Sequence, residues 1–147
     1  MIYLIGSLRN ERVPQVAQRL RAETIPVFDD WYAPGPNADD YWRDYSKFRG
    51  QTYKEALNSY AATHIFEFDK FHLDRSDGGV LVLPAGKSGH LELGYLIGQG
   101  KRGYILFDGE PEPERWDVMY QFATGGVFFD LESLLTKLVS DGMAQKT

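Results

Sequence analysis

Two carboxylates and a few small polar residues in this 147-residue chain have the types and spacing for chemistry. Glu92 lies in Ser88-Gly89-His90-Leu91-Glu92-Leu93-Gly94-Tyr95, after the apolar run 79–83 and the loop 84–87. An aliphatic run without polar alternation predicts a central parallel strand. Open α/β sheets bind ligands beyond the carboxyl ends of such strands. The spacing predicts a helix opening at Ser88 or Gly89, with Glu92 in its first turn above the ligand crevice. The N–H groups of Ser88, Gly89 and His90 are then free to receive an anion. Glu92 is therefore the first candidate for chemistry. Asp69 lies among Phe66, Phe68 and Phe71. Apolar surroundings raise a carboxyl pKa, which suits a proton donor near neutral pH.

A second group of residues follows the first apolar run. Gly6-Ser7-Leu8-Arg9-Asn10 is expected beside the loop 84–87, and Ser7, Arg9 and Ser88 together make a fair anion pocket. The alternatives are a tight turn with a solvated Arg9, and a Ser88 that only caps its helix. Gly86-Lys87-Ser88 resembles the end of a Walker phosphate loop, but that motif needs glycine five positions earlier, where Leu81 stands. A single phosphate suits the loop better than a triphosphate. His64, His72 and His90 show no metal-ligand spacing, and neither a metal nor another cofactor is expected. His64 and His72 are read as structural or solvated.

The elements that must position these residues are legible from periodicity. Strands are predicted at 2–5, 25–28, 79–83, 102–107 and 127–129. Helices are predicted at 13–23, 88–98, 116–123 and 131–139, the last capped by Asp130. Residues 39–69 are expected to be mostly helical, broken at Gly50, with Ala56, Tyr60 and 65–68 on the core side. Strands alternating with helices predict a single flavodoxin-like α/β domain with a five-stranded parallel sheet in the order 2-1-3-4-5. The net charge of −5 argues against a nucleic-acid polymer as partner. The absence of cysteine excludes disulfides and thiolate chemistry. No stretch approaches the roughly 20 apolar residues that span a bilayer, and the first apolar run is too short for a signal peptide. A cytoplasmic protein with no membrane partner is expected.

In order along the chain, Ile2-Tyr3-Leu4-Ile5-Gly6-Ser7-Leu8-Arg9, the Asp69 to Asp77 offset, the segment Ser88 to Tyr95 and the stretch 98–101 resemble one family. It is the nucleoside 2-deoxyribosyltransferase superfamily, including its deoxynucleoside 5′-monophosphate N-glycosidase branch. The resemblance covers most of residues 1–107. It implies that Glu92 attacks C1′ of a 2′-deoxyribosyl group and expels the base, giving a covalent glycosyl-enzyme that water or a second base resolves. It further implies that Asp69 assists through a proton or a contact with sugar or base, and that Tyr3 orients Glu92. Gly6, Ser7, Arg9, Ser88 and Gly89 would hold the substrate, a small deoxynucleoside or deoxynucleotide. Trp31, in the Pro/Gly-rich loop 29–37, is expected from its aromatic face to stack on the base.

Two departures from the transferase branch favour a monophosphate, with water as acceptor. Gly86 stands where those enzymes carry an aspartate, and Arg9 matches the first loop of the monophosphate glycosidases. The serine that precedes the glutamate in the glycosidases is displaced here to Ser88. The resemblance also implies a homodimer or higher homo-oligomer, with the neighbour's residues near 116–122 reaching the site. The alternative is a non-catalytic nucleotide-binding sensor, although a sensor gains nothing from a carboxylate at C1′.

Overall fold

The computed structural model describes residues 1–146. Its centre is an all-parallel sheet of five strands in the order β2-β1-β3-β4-β5. The strands are β1 (Ile2–Ile5), β2 (Val27–Phe28), β3 (Gly78–Val82), β4 (Arg102–Leu106) and β5 (Gly126–Phe128). This is the flavodoxin-like order expected from the sequence. Every residue of β3 is buried, which explains why its sequence lacks alternation. Ile2 pairs with Gly78 and Ile5 with Leu81, so β1 and β3 run in step toward the loops that end them.

Helices α1 (Arg12–Ala22), α2 (Ala38–Phe48), α3 (Tyr53–Leu57), α4 (Tyr60–Arg75), α5 (Lys87–Gly98) and α6 (Leu131–Ser140) complete the fold. The period of two in β1 sends Ile2 and Leu4 to one face of the sheet and Tyr3 and Ile5 to the other. On the first face they meet Val13, Val16 and Leu20 of α1 and Leu134 and Leu138 of α6. On the second they meet Leu93 and Leu96 of α5 and Leu73 of α4. Glycine lets α5 lie close on this second face. A Cβ on Gly79 would stand 2.5 Å from Leu96 Cδ1, one on Gly103 2.7 Å from Ile97, and one on Gly89 3.1 Å from Ile5 and Leu81.

Two expectations need correction. Gly50, at φ +72°, does end α2, and a Thr52–Glu55 capping box then starts α3. Ala56 is buried, but Tyr60, Ile65, Phe66 and Phe68 are exposed. The cause is that α4 buries only Leu73, near its C-terminal end. The helix expected at 116–123 is instead two 3₁₀ turns, Pro113–Arg115 and Val118–Phe122. Trp116 and Asp117 between them are extended, and the Asp117 carboxylate accepts the N–H of Met119 at 2.8 Å. An Asp side chain that takes a local N–H interrupts the helical ladder.

Strand β4 is fastened to the C-terminal end of α6 by Asp141, whose side chain is 6% exposed. The Tyr104 hydroxyl donates to it at 2.6 Å, Lys137 at 2.8 Å and Arg102 at 2.6 Å. Burial pushes its carboxyl up, but these donors outweigh burial and hold the pKa at about 2. Its contribution to stability is therefore complete above the usual carboxylate pKa and is lost as pH falls toward 2. Asp141→Ala strands the hydroxyl of the fully buried Tyr104, which is expected to cost about 1–3 kcal/mol. Denaturant melts at pH 7 check this, and the difference from wild type should shrink as the pH is lowered through 4 toward 2.

Candidate functional site

Helix α5 opens at Lys87, one residue earlier than expected, with Gly86 at its N-cap and no side-chain cap. Ser88 is therefore inside the helix and is not the cap. The carbonyl of Gly86 accepts the N–H of His90, so the uncapped donors are those of Lys87, Ser88 and Gly89. Glu92 falls in the second turn of α5, not the first. There its side chain meets the second face of the sheet, beside Tyr3 of β1 and Asp69 of α4.

These three residues form one electrostatic unit. The Tyr3 ring is buried against Phe28, with centroids 5.2 Å apart, and its hydroxyl sits near both carboxylates. Burial, and then the charges of Glu92 and Asp69, push the phenol far above its ordinary pKa. Burial pushes Glu92 up to about 7, with the Asp69 charge adding to it and a hydrogen bond from Tyr3 opposing. Burial likewise pushes Asp69 up to about 6, with the charge of Asp39 adding to it and Tyr3 again opposing. The expected rise for Asp69 holds, but the three residues expected to cause it, Phe66, Phe68 and Phe71, are themselves exposed.

The two helices that carry the acids are stapled together. The Tyr95 hydroxyl of α5 donates to Asp74 of α4 at 2.5 Å, and Gln99 donates to the same carboxylate at 2.9 Å. Lys101 donates to the C-terminal carbonyls of α4 at Leu73 and Asp74, at 3.0 and 2.9 Å. Asp69 lies a little over one turn before Asp74, and Glu92 one turn before Tyr95, so the staple sets how far apart the acids stand.

A cleft of about 450 Å³ opens at the ends of β1 and β3, lined by Ser7, Arg9, Asn10, Glu11, Arg12 and residues 84–86. The structure thus brings together the two loops that the sequence analysis paired. Asn10, which is buried, joins them by donating to the carbonyls of Val82 and Pro84 at 3.4 and 3.3 Å. Arg12 donates to the carbonyls of Leu83 and Phe107 at 3.0 and 3.4 Å. The Ser7 oxygen accepts the N–H of Arg9 at 3.1 Å, which leaves its hydroxyl hydrogen to donate elsewhere. Gly6 is a packing position, since a Cβ there would stand 2.9 Å from Val13. Gly89 is buried against Ile5 and Leu81, and the Ser88 side chain is exposed outside the cleft lining.

Trp31 lies on a 3₁₀ turn, Asp30–Tyr32, after β2. Its indole N–H donates to the Leu4 carbonyl at 2.7 Å, which fixes the ring over the end of β1. His90 is held between the Gly86 carbonyl, 2.7 Å from Nδ1, and the Tyr120 hydroxyl, 2.8 Å from Nε2. His72 is stacked on Phe28 at 3.9 Å. Among the described residues no cluster of His, Asp and Glu is arranged to hold a metal ion, and no helix is long and apolar enough to cross a membrane.

Sequence reasoning missed Asp39, Asn10 and Arg12. Asp39, in the first turn of α2, acts on both acids through its charge. An acidic first turn is visible in the sequence, but its approach to residues 30 and 53 positions away is not. Asn10 ends the Gly6–Asn10 loop but the sequence assigns it no role, and Arg12 lies just beyond it; their partners are main-chain carbonyls, which no residue type marks. Scanned against protein-family models and against curated proteins, the chain finds no match.

A site built this way costs stability. The pKa of Glu92 is raised on folding, so the neutral acid is tolerated and the ionised one is penalised. The penalty is absent below about pH 4.5 and grows as pH rises through about 7. Glu92→Gln removes it. We expect the variant to melt about 5 °C above wild type at pH 8, an estimate of order 2 kcal/mol, with the gain vanishing near pH 4. Calorimetric scans across that range check the sign.

Proposed function

We propose that this chain breaks the N-glycosidic bond of 2′-deoxynucleosides, and preferentially of their 5′-monophosphates, through a covalent intermediate on Glu92. The observation that carries the reading is the convergence of Glu92, Asp69 and Tyr3 in one partly buried site. The Glu92 carboxylate attacks C1′ as the C1′–N bond breaks, and the bonding pair leaves with the base. Asp69 supplies the proton that the departing base takes up. Water then attacks C1′, gives a proton back to Asp69 and frees the Glu92 carboxylate. A second base in place of water makes the same cycle a transfer.

The two acids titrate close together and interact, so near neutral pH they hold about one proton between them as a pair. Ionised Glu92 with protonated Asp69 is one of the two arrangements of that proton. In the free protein the shared proton rests mainly on Glu92, so the cycle begins with its passage to Asp69. The Tyr3 hydroxyl lies near both acids and favours the ionised form of each, and so eases passage between the arrangements. Glu92 also lies six residues beyond Gly86. That is about 9 Å along the axis of α5, a span that a sugar phosphate and its contacts can bridge. The phosphate would then reach Ser7, Arg9 and the uncapped N–H groups of α5 while C1′ meets Glu92. Exposed Phe66 on α4, Leu91 and Tyr95 on α5, and Phe122 support a homodimer as the working form.

Liquid chromatography of released base from a panel of deoxynucleosides and monophosphates tests the proposal. Glu92→Ala is expected to lower turnover by at least three orders of magnitude while substrate still binds, because only the nucleophile is removed. A variant within tenfold of wild type would take Glu92 out of the mechanism. Asp69→Asn should slow bases that leave poorly far more than bases that leave easily.

The phosphate preference has its own measurement. Arg9 offers a dianion charge-assisted hydrogen bonds that a 5′-hydroxyl cannot match, worth roughly 1.5–3 kcal/mol each. Arg9→Ala is expected to reduce the ratio of kcat/KM for monophosphate over nucleoside by about tenfold or more. An unchanged ratio would favour the nucleoside as substrate.

A further inference from the structure

Arg9 already carries a carboxylate. Its Nη2 lies 3.4 Å from Oδ2 of Asp40, 31 residues away in the first turn of α2. Asp40 has a second partner in Arg43, one turn along the same helix. Of the two guanidiniums that line the cleft, Arg12 is committed to the main-chain carbonyls of Leu83 and Phe107. Arg9 is the one whose partner is exchangeable, because its side chain is 67% exposed and it meets a half-buried Asp40 at 3.4 Å.

We propose that Asp40 is a specificity-determining residue: its carboxylate holds Arg9 in the free protein, and a 5′-phosphate must displace it to bind. The inference rests on reading the cleft as the phosphate subsite. A dianionic phosphate carries more charge than a carboxylate and offers more acceptor oxygens to a guanidinium, so it wins the exchange. Asp40 keeps Arg43 when it is displaced, so no carboxylate is left unpaired. A substrate without the phosphate leaves Asp40 on Arg9 and gains nothing from that side of the cleft. Asp40 thus weakens phosphate binding while keeping Arg9 neutralised against weaker anions.

The test is calorimetric titration of inorganic phosphate into the full chain, using wild type, Asp40→Asn, Arg9→Ala and the double variant. Asp40→Asn is expected to tighten phosphate about threefold to fivefold, the scale of an exposed ion pair. Arg9→Ala should weaken phosphate, and Asp40→Asn should then have no effect in the Arg9→Ala background. In turnover assays Asp40→Asn should lower KM for the monophosphate by a similar factor, with kcat and the nucleoside KM unchanged. A phosphate affinity that does not move in Asp40→Asn overturns the proposal, as does an equal gain in the Arg9→Ala background. Phosphate binding by neither wild type nor Asp40→Asn overturns it too. If base release from nucleosides persists in that case, the glycosidic reading stands without a phosphate subsite.

Discussion

The distance between α5 and the sheet is the constraint on which the candidate site depends. Three glycines, two in the strands and one in the helix, remove the Cβ atoms that would hold α5 away from β1, β3 and β4. Leu93, Leu96 and Ile97 fill the space so opened, and Glu92 rides on the same helix one residue from Leu93. Tyr3 of β1 then reaches a carboxylate that a more distant helix would carry past it. Reactivity falls steeply with displacements of about 1 Å at a reacting centre. In the proposed mechanism, small-residue packing beneath α5 is therefore part of what places the nucleophile.

The second theme is how unfavourable charge is placed. Glu92 and Asp69 share a partly buried site with the charge of Asp39 nearby, and all three charges have the same sign. Such a cluster opposes folding when ionised. The opposite arrangement occurs where the chain only has to hold together. Asp74 takes hydrogen bonds from Tyr95, Lys70 and Gln99, and Asp141 takes three of its own. Each of those acids sits among donors and has a lowered pKa. Acids that fasten the fold are lowered and the two acids grouped around Tyr3 are raised, a contrast in charge environment that marks the second group as the candidate site.

The sheet was legible because each strand is a short apolar run bounded by polar or glycine-rich turns, and because alternation with helices admits few topologies. That Tyr3, Asp69 and Glu92 lie close to one another was also legible, through the resemblance that set Tyr3 on the first strand and the acids on either side of the third. Other features depend on contacts between distant segments or on main-chain partners. The apolar pattern of α4 suggested a core face, but the helix buries almost none of it. The 113–122 segment has helix-forming residues, yet prolines and the Asp117 side chain cut it into short turns. The Arg9–Asp40 and His90–Tyr120 pairs join residues with no common pattern. Periodicity reports what a segment does with its own hydrogen bonds, and says little about a polar side chain that finds its partner across a loop.

The α2 to α3 segment, like most of α4, contributes little to the core. Of its two helices only Ser46 and Ala56 are buried, and glycines at φ +92° and +72° flank α2. Yet this segment brings Asp39 toward the carboxylates and Asp40 to Arg9. The fold thus divides its mutational risk. Changes on β1 or α5 disturb packing and the candidate site together, whereas changes on α2 alter the charge seen by that site with little loss of core. Under the proposed function, selection for a new substrate has its freest path here, through a helix whose sequence can drift while the sheet and the acids on α4 and α5 stay as they are.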